Sequence, residues 1–249
     1  MKTQIIILVS ILTTSTAITA QQYYYQDNIN AIIVNHQEKT GGIGLNYNIS
    51  IEIFGAMFHY PEIEFYYNFS SKFSTYGSFN FNILPSVENH LFGNSTNLKN
   101  NNFGYTLAGV LLGKSTFWFL TGYEISIGIT HKKLNINRNS EERILENYNS
   151  KFLQFNFLKN TEYKNSIYSV KLSKIDFYKV INIDENNIAT DYSDNLYNSI
   201  KKPLLVSISY TTYQPLSYKN LHIKFQFGLS FADEYGVFLT GKTGVIYLF

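Results

Sequence analysis

The sequence predicts an all-β fold: a closed, antiparallel, up-and-down transmembrane β-barrel of about ten strands, with eight or twelve as the neighbouring even counts. Three observations point there. Apolar residues recur at every second position over long stretches, the pattern of strands with one wet and one dry face. Those stretches exceed the roughly 5 to 6 residues usual in soluble sheets and match the roughly 9 to 11 that a tilted strand needs to cross lipid. The connections alternate between short and long, as expected when the two ends of a barrel meet different compartments.

Composition narrows the function classes. Only 15% of the residues are charged while 17% are aromatic, with 21 Tyr and 20 Phe; an ordinary soluble domain has about 25% charged residues. Low charge with high aromatic content excludes a disordered chain. The absence of cysteine excludes a disulfide framework, a thiolate metal site, a cysteine nucleophile and a lipidated cysteine. A net charge of +2 is no electrostatic footprint for nucleic acid.

The chain divides into three parts. Residues 1–20 read as a secretory signal peptide: Lys2, an apolar core from Ile5 to Leu12, and small residues ending in Ala17-Ile18-Thr19-Ala20. That core is well short of the roughly 20 residues of a spanning helix, so cleavage is expected near Ala20/Gln21. Residues 21–41 form a periplasmic N-terminal segment or one tucked inside the barrel; Ile29 to Val34 as an extra strand would break the even count. Residues 42–249 form the barrel.

The strands follow in order. The first, 42–53, places Ile43, Leu45, Tyr47, Ile49, Ile51 and Ile53 opposite Gly44, Asn46, Asn48, Ser50 and Glu52. Ile63, Phe65, Tyr67 and Phe69 carry 57–69, and Phe73, Thr75, Gly77, Phe79, Phe81 and Ile83 carry 73–84. After 102–112 comes the longest run, 116–130, through Phe117, Phe119, Thr121, Tyr123, Ile125, Ile127 and Ile129. Strands over 150–159, 166–181 and 203–213 precede 219–231, where Leu221, Ile223, Phe225, Phe227, Leu229 and Phe231 alternate with His222, Lys224, Gln226, Gly228 and Ser230. The last strand is 236–249. Connections 70–72, 113–115, 160–165 and 214–218 are short and read as periplasmic. Those at 85–101, 131–149 and 182–202 are long, Asn-, Ser- and acid-rich, and read as three extracellular loops. Connections 54–56 and 232–235 are short and neutral on this point.

The odd positions of 42–53, 116–130 and 219–231 are expected to face lipid. Phe69, Phe73, Phe117, Tyr213, Tyr247 and Phe249 are expected to form the aromatic girdles. The chain ends on Phe249, with Tyr247, Val245 and Thr243 at alternate positions before it and Gly241 departing from the pattern. This end resembles the closing strand of Gram-negative outer-membrane β-barrel proteins. The resemblance covers the whole chain but identifies a class and not a particular family. It implies that Val245, Tyr247 and Phe249 are an assembly signal read by the barrel-assembly machinery, and that the protein sits in the outer membrane. Outer-membrane lipids and lipopolysaccharide are then its surroundings, and an envelope protein is a further candidate partner.

Inside, Glu64, Glu124, Lys171, Lys224 and Lys242 fall at similar heights on the polar face. A ten-stranded lumen is only slightly wider than the eight-stranded size that side chains fill, and buried charges there must pair. A Glu–Lys network closing the lumen is expected, with Trp118 and Leu120 on the same inward face; a polar conduit is the alternative. Ten strands resembles the count in outer-membrane aspartyl-type proteases, which need paired acids and a His at the rim. The candidates are His131 with Glu141 and Glu142, His59 with Glu62, and Asp233 with Glu234, but none carries a recognisable signature and ordinary loop charges explain them better. No Ser–His arrangement of a lipid-deacylating barrel is found. The five histidines show no metal-ligand spacing, and Asp184, Glu185, Asp191 and Asp194 lack the fixed spacing of a calcium loop. The expected role is structural or surface-interacting through the long loops, non-enzymatic and without cofactor. A narrow, porin-like transporter for small polar or amphipathic solutes is second.

Overall fold

The computed structural model describes residues 39–52, 56–82, 86–88, 96–115, 117, 119–138, 142–160, 165–183, 189–191, 204–216, 220–232 and 236–249. The signal peptide, nearly all of segment 21–41, Trp118, Glu141, Asp184, Glu185, Asp194, Asp233 and Glu234 lie outside them.

The strands are β1 (Gly41–Glu52), β2 (Ala56–Asn68), β3 (Phe73–Asn82), β4 (Ser86–Glu88), β5 (Thr96–Lys114), β6 (Gly122–Arg138), β7 (Glu142–Asn160), β8 (Asn165–Ile183), β9 (Ala189–Asp191), β10 (Leu204–Pro215), β11 (Leu221–Ala232) and β12 (Gly236–Leu248). Ten of them form a closed antiparallel barrel. Each pairs with its successor in the chain, apart from the short β4 and β9, and β1 pairs with β12 from Gly42↔Leu248 to Glu52↔Phe238. Two reciprocal bonds complete that seam: the Gly41 amide donates to the Phe249 carbonyl and the Phe249 amide to the Gly41 carbonyl, both at 2.9 Å. The short β4 bridges β2 and β5, and β9 pairs with β8. Closure joins the first and last strands of the ten-stranded wall, the condition for placing a sheet in lipid.

Burial is inverted relative to a water-soluble protein. Ile127, Phe227 and Leu45 are 69%, 68% and 62% exposed, whereas Glu62, Glu124, Lys171 and Lys224 are 0% exposed. Period-two alternation produces this directly, because successive side chains leave opposite faces of the wall. Phe69, Phe73, Phe117, Tyr247 and Phe249 are exposed on the outside at strand ends and in turns.

Four sequence expectations are corrected. Tyr213 is not a girdle residue: it continues the inward set Leu205, Ser207, Ser209 and Thr211 and is completely buried in the lumen. The strand expected from 116 begins at Gly122. Among the described residues before it, the Ser115 hydroxyl accepts the Phe117 amide at 3.1 Å and the Leu120 amide donates to the Phe117 carbonyl at 3.0 Å, the bonds of a turn. The exposed Phe117 and Phe119 rings, 6.2 Å apart, imitate alternation there, and Leu120 belongs to the turn and not to the lumen wall. The expected loop 131–149 is a hairpin, since β6 and β7 stay paired as far as Arg138↔Glu142. Residues 96–101 likewise belong to β5. Of the three long loops expected, 131–149 and the end of 85–101 are thereby replaced by a projection in which β5, β6, β7 and β8 continue as one sheet, while most of 182–202 lies outside the described residues. Asn-rich composition reads as loop, but ladder hydrogen bonds hold such a segment extended even when both faces are wet. Beyond His131 this sheet runs roughly 20 Å, at about 3.3 Å per residue.

A register shift between Asn149 and Ser150 marks the foot of the projection: Ser150 pairs with Ile175 and Asn149 with Phe177. Asp176 is the extra residue. A bulge of this kind bends its strand and exchanges its two faces beyond that point.

Candidate functional site

The lumen is built in three layers. At the end of the barrel that carries Gly41 and Phe249, two or three residues in from each strand terminus, Tyr66, Tyr76, Leu112, Leu158, Ile167, Tyr213 and Ile246 pack into one buried apolar cluster. This floor is absent from the sequence expectation. Its signal was a local loss of alternation, because pairs such as Leu111-Leu112, Tyr66-Tyr67 and Val245-Ile246 make both faces apolar at that height.

Above the floor lies a charged layer. Lys224 on β11 donates to both carboxylate oxygens of Glu64 on β2, at 2.8 and 2.7 Å. Lys242 on β12 donates to Glu62 on β2 at 2.5 Å. The Tyr76 hydroxyl donates to Glu64 Oε2 at 3.4 Å. The Lys224 ammonium also lies 5.7 Å from the Tyr213 ring centroid, so it rests on the floor as well as on its carboxylate. The Glu64–Lys224 pair must cross β1 and β12, which stand between β2 and β11. Two inward glycines make room: Gly44 is opposite Glu64, and Gly244 is opposite Lys224. A Cβ at Gly44 would press on Glu64 and Ile246, and one at Gly244 would strike Asn46.

On the far wall the Gln154 amide donates to Asn156 Oδ1 at 2.8 Å, and the Asn156 amide donates to Glu124 Oε2 at 2.6 Å. Glu124 Oε1 is buried without a hydrogen-bond partner, and no ammonium forms an ion pair with Glu124 among the described residues. The Lys171 ammonium lies over the Phe152 ring, 4.1 Å from its centroid. A third layer of hydroxyls follows, with Thr106 bonded to Thr130 at 3.2 Å and Ser207 to Ser230 at 2.8 Å.

All five residues expected in a luminal network are buried inside the barrel. Glu64 and Lys224 pair with each other, Lys242 takes Glu62, Glu124 is held by amides, and Lys171 sits against an aromatic ring. Glu62, read from the sequence as a rim acid beside His59, is a luminal ion-pair partner. His131 is on the outer face of β6, where its Nδ1 bonds Asn149 Oδ1 at 2.6 Å and its ring lies 5.2 Å from Tyr105. Glu142 stands seven positions further along the ladder, opposite Arg138, roughly 20 Å from His131 at about 3.3 Å per residue. Val245 and Tyr247 are exposed on the outer face of β12, opposite Leu45 and Ile43.

An apolar coat, a side-chain-filled charged interior and a fully paired wall define a small closed β-barrel of the outer-membrane type. No family model and no curated protein matches the sequence. Among solved structures the chain is similar to the outer membrane protease OmpT from Escherichia coli, at 9% identity over 88% of this chain and 99% of that one with a TM-score of 0.46. It is also similar to the translocator domain of the autotransporter NalP from Neisseria meningitidis (9% identity, 86% of this chain and 89% of that one, TM-score 0.42). A third is Ail, the attachment invasion locus protein of Yersinia pestis (10% identity, 86% and 100%, TM-score 0.29). The barrel assignment rests on this chain's own strand pairing.

Proposed function

We propose that the protein is an outer-membrane β-barrel with a closed lumen, whose role is to present the β5–β8 sheet projection to a surface or a protein partner. The observation that carries this reading is the complete burial of the luminal charges above an apolar floor. Side chains fill the cross-section at both heights, so solute passage has no support in the described residues. In this reading residues 1–20 are cleaved on export, the chain ends lie in the periplasm, and Val245, Tyr247 and Phe249 are what the barrel-assembly machinery reads. The four strands that continue beyond the barrel supply the hydrophilic mass on the outer side.

Two measurements test it. In planar bilayers the refolded protein should give no discrete conductance steps; steps that change with Glu124→Ala would replace this reading with a narrow transporter. Excising residues 134–147 and closing the hairpin with a short turn should leave the heat-modifiable gel shift of the barrel intact. The same excision should abolish recovery of a partner, or surface binding, from native membranes. Unchanged recovery would remove the projection as the functional element.

A further inference from the structure

Asn46 stands at the centre of the buried charges. It faces the lumen from β1, directly opposite Glu62 on β2 and Gly244 on β12. Glu64 is the next inward residue after Glu62 on β2, and Lys242 the next inward residue before Gly244 on β12. Directly opposed residues have Cβ atoms about 4.5 to 5.5 Å apart, and diagonal neighbours about 7 to 8 Å apart lie within reach of a long side chain. Lys242 uses that reach, because its ammonium crosses β1 to Glu62 Oε1 at 2.5 Å. It ends beside the carboxylate of the residue that faces Asn46.

Asn46, Glu62 and Lys242 are all buried. Neither side-chain atom of Asn46 has a hydrogen-bond partner at ordinary distance among the described residues, although its amide lies near enough to act on the Glu64 carboxylate. The other pairings are less suited. Asn48, directly opposite Lys242, has its amide turned to the Tyr60 carbonyl, to which it donates at 3.4 Å. Lys224 is held by both Glu64 oxygens and stands one strand further away, on β11.

An amine, a carboxyl group and a carboxamide enclosed together are the reactants of a transamidation. We propose that, once the barrel has closed, Lys242 and Asn46 join through an amide bond with Glu62 as the proton carrier. The proton that Lys242 shares with Glu62 passes to the carboxylate, leaving a free amine and a carboxylic acid. The amine nitrogen attacks Cγ of Asn46. Glu62 delivers its proton to Nδ2 and takes one from the attacking nitrogen. The Cγ–Nδ2 bond breaks and ammonia leaves. An ammonium, a carboxylate and a carboxamide thereby become a secondary amide, a carboxylic acid and ammonia, with atoms and charge conserved and no oxidant required. A carboxamide is a weak electrophile, and enclosure supplies the rate: well-oriented intramolecular groups reach effective molarities of about 10⁵ to 10⁸ M. The product is neutral, so the desolvation cost of an ion pair is removed from the lumen. The new bond ties β1 to β12 across the seam, where the first and last strands of the wall meet.

The test uses residues 21–249 refolded from the denatured chain into phosphatidylcholine vesicles, with heat-modifiable migration confirming insertion. After denaturation and proteolysis, the wild type should yield a branched peptide joining the Asn46 and Lys242 segments, lighter by one ammonia than the two together. Cyclisation of Gln21 at the chain start also releases ammonia, so the branched peptide, and not the whole mass, is the reading. Lys242→Arg keeps a cation beside Glu62 and should insert without forming the branched peptide. Boiled wild type should run ahead of boiled Lys242→Arg, because the bond closes a loop in the denatured chain. Asn46→Ala should also remain unlinked, whereas Asn48→Ala should link as the wild type does. Glu62→Gln, which has no carboxyl proton to pass on, should link at least about a hundredfold more slowly. An inserted wild type that releases only linear peptides would overturn the proposal. So would a bond to Asn48 or Lys224, the same bond in the chain before folding, or linkage of Glu62→Gln at the wild-type rate.

Discussion

Replacing Lys224 by Ala should destabilise the barrel by about 3 to 5 kcal/mol, the cost of leaving a buried carboxylate without its partner. Glu64 receives both its short contacts from that one ammonium, with a longer bond from Tyr76. The urea midpoint of the heat-modifiable band, followed in vesicles, reads the change. Glu64→Leu should cost a similar amount by stranding Lys224. The pair Lys224→Met with Glu64→Leu should recover most of the loss, because an apolar pair of similar volume escapes the desolvation penalty of two ions. Glu124 supplies the contrast. Among the described residues it has no ion-pair partner and carries an unpartnered oxygen, so Glu124→Gln should leave the midpoint unchanged or raise it by about 1 kcal/mol. A Lys224→Ala protein within about 1 kcal/mol of wild type would show that the pair is solvated and not part of a filled lumen.

Ile127→Arg should cost about 2 to 4 kcal/mol in vesicles, the penalty for arginine at the middle of a lipid-facing strand. Ile127 is 69% exposed and lies midway along the outward apolar run of β6. On a water-facing surface the same substitution would be nearly neutral, so the measurement separates a lipid-facing wall from a hydrated one. Phe73→Arg at the start of β3 is the control: an interfacial position should cost about 0 to 1 kcal/mol. If the two substitutions cost the same, the outer face is not immersed in hydrocarbon.

The sequence made the barrel legible wherever one face was wet and the other greasy. Between Ile43 and Ile49, and between Leu221 and Phe231, the pattern alone gives strand, face and approximate ends. It misled where alternation had another origin. Phe117 and Phe119 alternate because two turn aromatics sit at the same interface, not because a strand carries them. It was silent where both faces share one polarity: Asn-rich β5 and β6 beyond the barrel resemble loops, and the aromatic floor hides in doublets such as Tyr66-Tyr67.

The inward charges were legible one by one, from parity and height. Their pairing was not, because it depends on which strands are neighbours across the curve of the wall. Glu62 and Lys242 are far apart in the chain, and only closure of β1 on β12 brings β2 and β12 to the same glycine-lined side. Tyr213 shows the same limit from the other direction. A tyrosine near a strand end suits a girdle or a floor equally well, and only its phase within β10 decides.

The seam between β1 and β12 has a kinetic consequence. Every other pairing of barrel strands is between successive elements, so most of the wall can form by local zippering of hairpins. The seam joins residues at opposite ends of the barrel segment, and in the unfolded chain closing a loop of about 200 residues costs roughly 3 kcal/mol more in chain entropy than closing a loop of about ten, so the hairpins form first. Seam closure is therefore the slow, late event, and before it the sheet must exist open, with two long unsatisfied edges. The ion pair from Glu64 to Lys224 spans that same seam, so it rewards closure and contributes nothing earlier. Weakening it should act on the opening rate of the finished barrel and leave the early hairpins untouched.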